Sequence, residues 1–202
     1  MVSDETENDP LIQRALAGEE AALAELFDAH RVRLKRMIKL RMDRRLQARL
    51  DASDVLQEAY LDLAQRLPEY AKQAKYPFFL WVRLITGQRL AKAHERHLGA
   101  AMRNANLEVS LNQQAVPEAS TFFLASRLMA TVTSVSQQMI RAEMQIKLQD
   151  VLNTMDRNDR EILALRHFEE LNNEEIAQVL EISKSAASKR YMRAIMRLRE
   201  AL

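Results

Sequence analysis

The sequence predicts an all-α chain of two small helical domains, the second a four-helix domain with a helix-turn-helix, joined by a polar linker. Three observations predict it. Only three glycines and four prolines interrupt 202 residues, so few positions break a helix. Leu, Ala, Met, Gln, Glu and Arg are abundant, and alternating β-branched runs are absent, which favours the helical period over the strand period. A polar stretch, 104–138, with Glu108, Glu118 and Arg127 as its charged residues, separates two apolar-periodic halves. A chain of this length builds one compact domain or two small ones.

The first domain is expected at 10–103. Leu11, Ala15 and Leu16 begin a short helix that Gly18 ends. Glu19 to Met42 reads as one long helix or a closely joined pair, with Ala22, Leu23, Leu26 and Phe27 on one side, then Leu34, Ile38 and Leu40. Val55, Leu56, Ala59, Tyr60 and Leu63 mark the next helix, Asp51 to Leu67, capped by Asp51 or Ser53, with Pro68 just past its end. Pro77 opens an aromatic helix, Phe78, Phe79 and Trp81, that continues through Val82, Leu84, Ile85, Leu90 and Ala93.

Within the linker, 104–138, Phe122, Phe123, Leu124 and Leu128 suggest a short helix with something to pack against. The second domain is expected at 139–202. Ile140, Met144, Ile146, Leu148 and Leu152 carry its first helix, Met139 to Leu152, and Asn158 or Asp159 starts another through Ile162, Leu163, Leu165 and Phe168. Ile176, Ala177 and Leu180 stripe a third, short helix, Glu181-Ile182 makes a tight turn, and Ser183 caps the last. That last helix stacks Ala187, Tyr191, Ile195 and Leu198 inward and is basic at Lys184, Lys189, Arg190, Arg193, Arg197 and Arg199. Two helices joined by a short turn, the second with small and basic residues at its start, form a helix-turn-helix whose second helix would enter a DNA major groove. A hairpin used only for protein contacts would leave those cations without a role.

Charge distribution says more than the net charge of +2. Asp4, Glu5, Glu7 and Asp9 make an acidic start, whereas Arg31, Arg33, Lys35, Arg36, Lys39, Arg41, Arg44, Arg45 and Arg49 face a single acid, Asp43. Such a run attracts polyanions or is a solvated helix face. No cysteine means no disulfide and no thiolate metal site, which fits a reducing cytoplasm. No apolar run approaches the ~20 residues of a membrane span, and the acidic start is unlike a signal peptide. A cytoplasmic location without membrane insertion is therefore expected. There is no phosphate loop and no nucleophile–base arrangement, so neither an enzyme nor a cofactor is expected. His94 and His97 lie three apart without a third ligand, which favours surface or phosphate-facing histidines over a metal pair.

Two segments together carry a resemblance. Asp51-Ala52-Ser53-Asp54-Val55-Leu56-Gln57-Glu58-Ala59-Tyr60-Leu61-Asp62-Leu63 resembles a D-x-x-D-(V/L)-x-Q-E-(A/T)-(F/Y) segment, and Leu152 to Arg199 resembles a promoter-binding helix-turn-helix domain. In this order and separation they resemble the RNA polymerase sigma factors of the extracytoplasmic-function type, the smallest sigma-70-related group. The resemblance covers roughly 10–100 and 140–202 and leaves the bridge aside. It implies a transcription initiation factor that binds core RNA polymerase, directs it to specific promoter DNA and assists strand opening. An anti-sigma partner is common in that family. The alternative is a conventional helix-turn-helix regulator that binds DNA without polymerase.

Residue by residue, the resemblance places core polymerase binding on Asp51, Asp54, Gln57, Glu58, Tyr60 and Asp62, four of them carboxylates recurring along one helical side. It places −10 DNA contacts on Arg83, Gln88, Arg89, Lys92 and Arg96, where rings and cations would stack and neutralise an opened strand. Trp81 reads better as core than as a stacking platform. The family's Ile-Ala-x-Asn stretch is replaced here by Ile85-Thr86-Gly87-Gln88, and Lys92 reverses the usual charge, so the −10 preference does not transfer. The −35 DNA contacts fall on Ser183, Lys184, Ser185, Ser188, Lys189, Arg190, Arg193 and Arg197. Among them Lys184, Ser185, Ser188 and Lys189 are the candidates for base edges, and Arg193 and Arg197 for sequence-independent attraction.

Overall fold

The computed structural model describes residues 10–72, 76–98, 116–130 and 138–201. The acidic start at Asp4 to Asp9, Arg103 and most of the linker, Glu108 included, lie outside these described residues. Among the described residues every regular element is a helix. Two compact units result, Met1–Pro117 and Glu118–Leu202. The division falls inside the stretch that the sequence reads as linker.

The first unit holds α1 (Pro10–Leu16), α2 (Glu20–Arg41), α3 (Arg44–Gln47), α4 (Ala52–Lys72) and α5 (Phe78–Leu98). α1 ends where Gly18 takes a φ of +93°, a conformation that costs a side chain but not glycine. α2 runs unbroken as a single helix. With α4 and α5 it encloses Leu34, Ile38, Leu63, Leu80, Ile85 and Leu90, all fully buried, each burial contributing about 1.5–3 kcal/mol. Trp81 is buried as expected and stacks on Tyr70, ring centroids 4.8 Å apart.

α4 does not stop before Pro68 but carries it inside. An internal proline costs about 3 kcal/mol. Here it lies on the exposed side of the helix, while the same turns bury Leu67 and Tyr70, and the Tyr70 hydroxyl donates to the Tyr76 carbonyl at 3.2 Å. The aromatic contacts of Tyr70 with Phe78 and Trp81 offset the lost hydrogen bond.

The chain returns to this unit at Val116-Pro117. Val116 is buried against Gly87, where a Cβ would come within 2.5 Å of its methyl group. The Pro117 carbonyl accepts from Arg41 at 2.7 Å. Gly87, one of the departures from the family pattern, thus makes room for Val116, a residue of the stretch read as linker.

The second unit holds α6 (Thr121–Ala130), α7 (Gln138–Thr154), α8 (Arg157–His167), α9 (Asn173–Leu180) and α10 (Lys184–Ala201). α6 packs on α7 with Leu124 and Ala125 fully buried. α8 starts earlier than the sequence suggests: its cap is Asp156, which accepts from the Asn158 N–H at 2.9 Å. α9 opens with a reciprocal cap, Asn172 accepting from Glu175 N–H and the Glu175 carboxylate accepting from Asn172 N–H, worth about 1 kcal/mol. The Glu181 turn is left-handed, φ +53°, and Ser183 caps α10 by accepting from Ala186 N–H at 3.1 Å. Ala187 and Ala194 are fully buried, so α10 approaches its neighbours closely.

Candidate functional site

Three surfaces carry the residues singled out above. The first is a groove of about 370 Å³ between α2 and α4, lined by Phe27, Arg31, Asp54, Gln57 and Tyr60 among others. Tyr60 meets Phe27 edge-on at 5.2 Å, which makes its floor aromatic, and Gln57 is exposed at its rim. Asp51 and Asp54 have structural duties here. Asp51 accepts from Ser53 N–H at 2.7 Å, and Asp54 accepts from Asp51 N–H at 2.8 Å, a reciprocal cap for α4. Those hydrogen bonds from Ser53, backbone first, hold the Asp51 carboxyl below its ordinary value, helped by Lys35 and Lys39. Lys35 itself donates to the Ser53 hydroxyl at 2.9 Å.

The four carboxylates expected along one helical side take different partners. Glu58 and Asp62 turn towards α5 and form the second surface, a ladder of charges. Arg89 binds both oxygens of Asp62 and lies 3.8 Å from Glu58, and Arg96 lies 3.6 Å from Glu58. Arg66 donates to the Gln88 side-chain oxygen at 2.9 Å. Glu58 and Asp62 of the polymerase set and Arg89 and Arg96 of the −10 set, assigned separately from the sequence, therefore pair across the α4–α5 seam. Lys92 stays exposed beside them.

Arg83 must be withdrawn as a −10 contact. It is 1% exposed and sits inside the unit, so its guanidinium cannot meet a strand. His94 is corrected too: it is buried, and its Nε2 accepts from Asp43 N–H at 3.2 Å. Burial pushes its pKa below the usual histidine value. His97 is exposed, and no group of three or more metal-ligating side chains occurs among the described residues. The basic run before α4 is partly used internally as well. Arg33 lies over the Phe79 ring at 3.7 Å, Arg41 is buried, and Arg45 holds the Asp43 carboxyl down at about 2 through a side-chain hydrogen bond.

The third surface is the helix-turn-helix, α9 and α10. Ser185, Lys189 and Arg193, four residues apart, are exposed along one side of α10, with Met192 and Met196 on the same outward face. Lys184 makes an exposed ion pair with Glu174 at 3.4 Å. Ser188 is not an outward reader: its hydroxyl accepts from the Asn173 amide at 2.9 Å, and Asn173 in turn accepts from Arg166 at 3.1 Å. This relay ties α8, α9 and α10 together. Arg190 is turned inward, toward Asp159 at 3.4 Å, and the exposed Arg197 lies 4.0 Å from the same carboxylate.

Sequence reasoning missed Asp159, Asp156 and Asn173 as partners of these residues. The signal available was weak: acids in the first turn of one helix and arginines seven apart on another. It missed Arg160 as well, which caps the end of α7 by donating to the carbonyls of Leu152 and Met155 at 3.2 Å and 2.9 Å.

Comparisons with known proteins bear on both units. Residues 145–198, covering most of α7 to α10, match the Sigma-70, region 4 family. Over 194 residues the chain is 26% identical to the ECF RNA polymerase sigma factor SigD of Mycobacterium bovis and of Mycobacterium tuberculosis, covering 96% of this chain and 83% of theirs. Its fold is similar to that of CnrH, solved in complex with the cytosolic domain of CnrY, with a TM-score of 0.54 and 18% identity over 94% of this chain and 93% of that one. The helix-turn-helix and the near full-length likeness agree with the resemblance read from the sequence: the chain is similar to the sigma-70-related RNA polymerase sigma factors of the extracytoplasmic-function type.

Proposed function

We propose that the chain is a transcription initiation factor that docks on core RNA polymerase through its first unit and reads promoter DNA with both units. The observation that carries the reading is the pairing of the α2–α4 groove with an exposed basic face on α10, in a chain similar to SigD over nearly its whole length. Gln57, Asp54 and Tyr60 present a polar rim over an aromatic floor, the composition of a protein-docking patch. On α5, Lys92 and Arg96 supply cations for a displaced strand, with Arg89 and Gln88 held in reserve by Asp62 and Arg66. On α10, Ser185 and Lys189 face base edges, Arg193 faces phosphate, and the Ser183 cap at the start of the helix suits another phosphate.

No catalytic step is assigned to the chain, and no helix among the described residues is long and apolar enough to cross a membrane. A cytoplasmic place of action follows from the function proposed, and an anti-sigma partner is proposed on the family resemblance alone. The regulator reading is not favoured, because the likeness to SigD extends through the first unit as well as the helix-turn-helix.

The test is co-purification with core polymerase. The full-length chain should retain core, and Gln57→Arg, at an exposed position of the rim, should weaken that binding roughly tenfold or more with the unfolding midpoint unchanged. Equal retention by the variant would remove the groove from the docking surface.

A further inference from the structure

α10 carries six basic residues in its first sixteen, yet the structure divides them unequally. Lys189 and Arg193 are exposed on the outward face. Arg190 and Arg197, seven residues apart on one flank of the helix, instead converge on α8. Their target is Asp159, a carboxylate 1% exposed. One oxygen, Oδ1, accepts from Arg190 at 3.4 Å; the other, Oδ2, has no hydrogen-bond partner and lies 4.0 Å from Arg197. Asp156, the cap of α8, adds a second pairing to Arg190 at 3.5 Å. Asp159 sits in the first turn of α8, where the helix dipole favours a negative charge.

We infer that Asp159 is a positioning residue for promoter reading: it withholds two arginines of the recognition helix from DNA phosphate and fixes the rotation of that helix, so that Ser185 and Lys189 meet bases. The inference rests on the proposed reading of α10 as a DNA-binding helix. An arginine whose charge is already neutralised by a buried acid releases fewer counterions from DNA, so each one so engaged removes up to about one phosphate contact from the sequence-independent part of binding. A helix clamped along one flank also loses freedom to roll, and base contacts demand a fixed roll. The carboxylate therefore trades raw affinity for discrimination.

Binding of the full-length chain, assembled with core polymerase, tests this on two duplexes: a promoter fragment selected by the unaltered protein from genomic DNA, and the same fragment with its upstream element scrambled. Asp159→Asn keeps the side-chain volume and removes the charge. It should bind the scrambled fragment more tightly than the unaltered protein does, lower the ratio of the two affinities roughly tenfold, and steepen the salt slope by about 1 for each arginine released. Weaker binding to both fragments with an unchanged or shallower slope would mean that Asp159 only supports the fold, and would overturn the inference.

Arg197→Gln provides a milder variant, since Arg197 is exposed and 4.0 Å from its partner. Its salt slope should equal that of the unaltered protein, whereas Arg193→Gln should lower the slope by about 1. A loss of slope from Arg197→Gln equal to that from Arg193→Gln would place Arg197 on phosphate and sink the idea, even if Asp159→Asn does not fold. If the unaltered protein itself fails to distinguish the two fragments, the failure belongs to the proposed function of α10 and not to Asp159.

Discussion

The α4–α5 seam and the α8–α10 node solve the same electrostatic problem at different depths. Each joins carboxylates on one helix to arginines on another. In the seam the acids keep contact with water: the side chain of Asp62 is 14% exposed and that of Glu58 40%. In the node, Asp159 is 1% exposed. A pair open to solvent can exchange partners at little cost, because water and salt replace whatever leaves. A buried acid cannot release its cation without being left uncompensated. The first arrangement leaves its residues free to exchange partners, as the proposed docking on polymerase or on a DNA strand requires. The second suits a frame that must not change.

Unfolding measurements put that contrast on one scale. Arg190→Ala strips the principal partner from a buried carboxylate and should cost about 3–5 kcal/mol, read from urea midpoints at constant slope. Arg89→Ala should cost less, about 1–2 kcal/mol, because Asp62 and Glu58 reach water once it is gone. If the two substitutions cost the same, depth is not what separates the two regions.

Acid titration adds a smaller effect within the first unit. His94 is buried neutral, and burial depresses its folded pKa below the ordinary 6.5 of the unfolded chain. The unfolded state therefore binds the proton first as pH falls, so the stability contributed by neutral His94 is complete above that value and is lost as pH drops toward the folded pKa. Between about pH 7.5 and about pH 5.5 the melting temperature should fall more steeply for the unaltered chain than for His94→Gln. Parallel curves would show that His94 does not anchor the start of α3 through Asp43 in its neutral form.

Helix existence was legible from periodicity nearly throughout, since each core stripe reports on its own segment. Leu34, Ile38, Leu63 and Leu90 are buried where the helical period puts them. Pro68 misled, because its local cost is outweighed by Tyr70 docking on residues of a different helix. Gly87 had no local explanation either; its reason is Val116, 29 residues later. The same limit governs the site residues. Of the residues expected to face DNA, Ser185, Lys189 and Arg193 are exposed on a common side. Spacing gave no hint that Ser188, Arg190 and Arg197 are engaged by Asn173 and Asp159, since those partners lie 15, 31 and 38 residues away in sequence. Charge alone identifies which side chains can bind a polyanion. Tertiary pairing decides which of them are available.

Transcription by a defined system tests the central claim most directly. Purified core polymerase, this chain and genomic fragments, with no other protein, should yield run-off transcripts from a specific subset of promoters that core alone ignores. Removing residues 1–103, which takes away the groove and the α4–α5 seam together, should abolish them while the helix-turn-helix unit remains present. Transcripts that persist after that removal, or a full-length chain that shifts promoter fragments yet initiates nothing with core, would contradict a sigma factor and leave a DNA-binding regulator in its place.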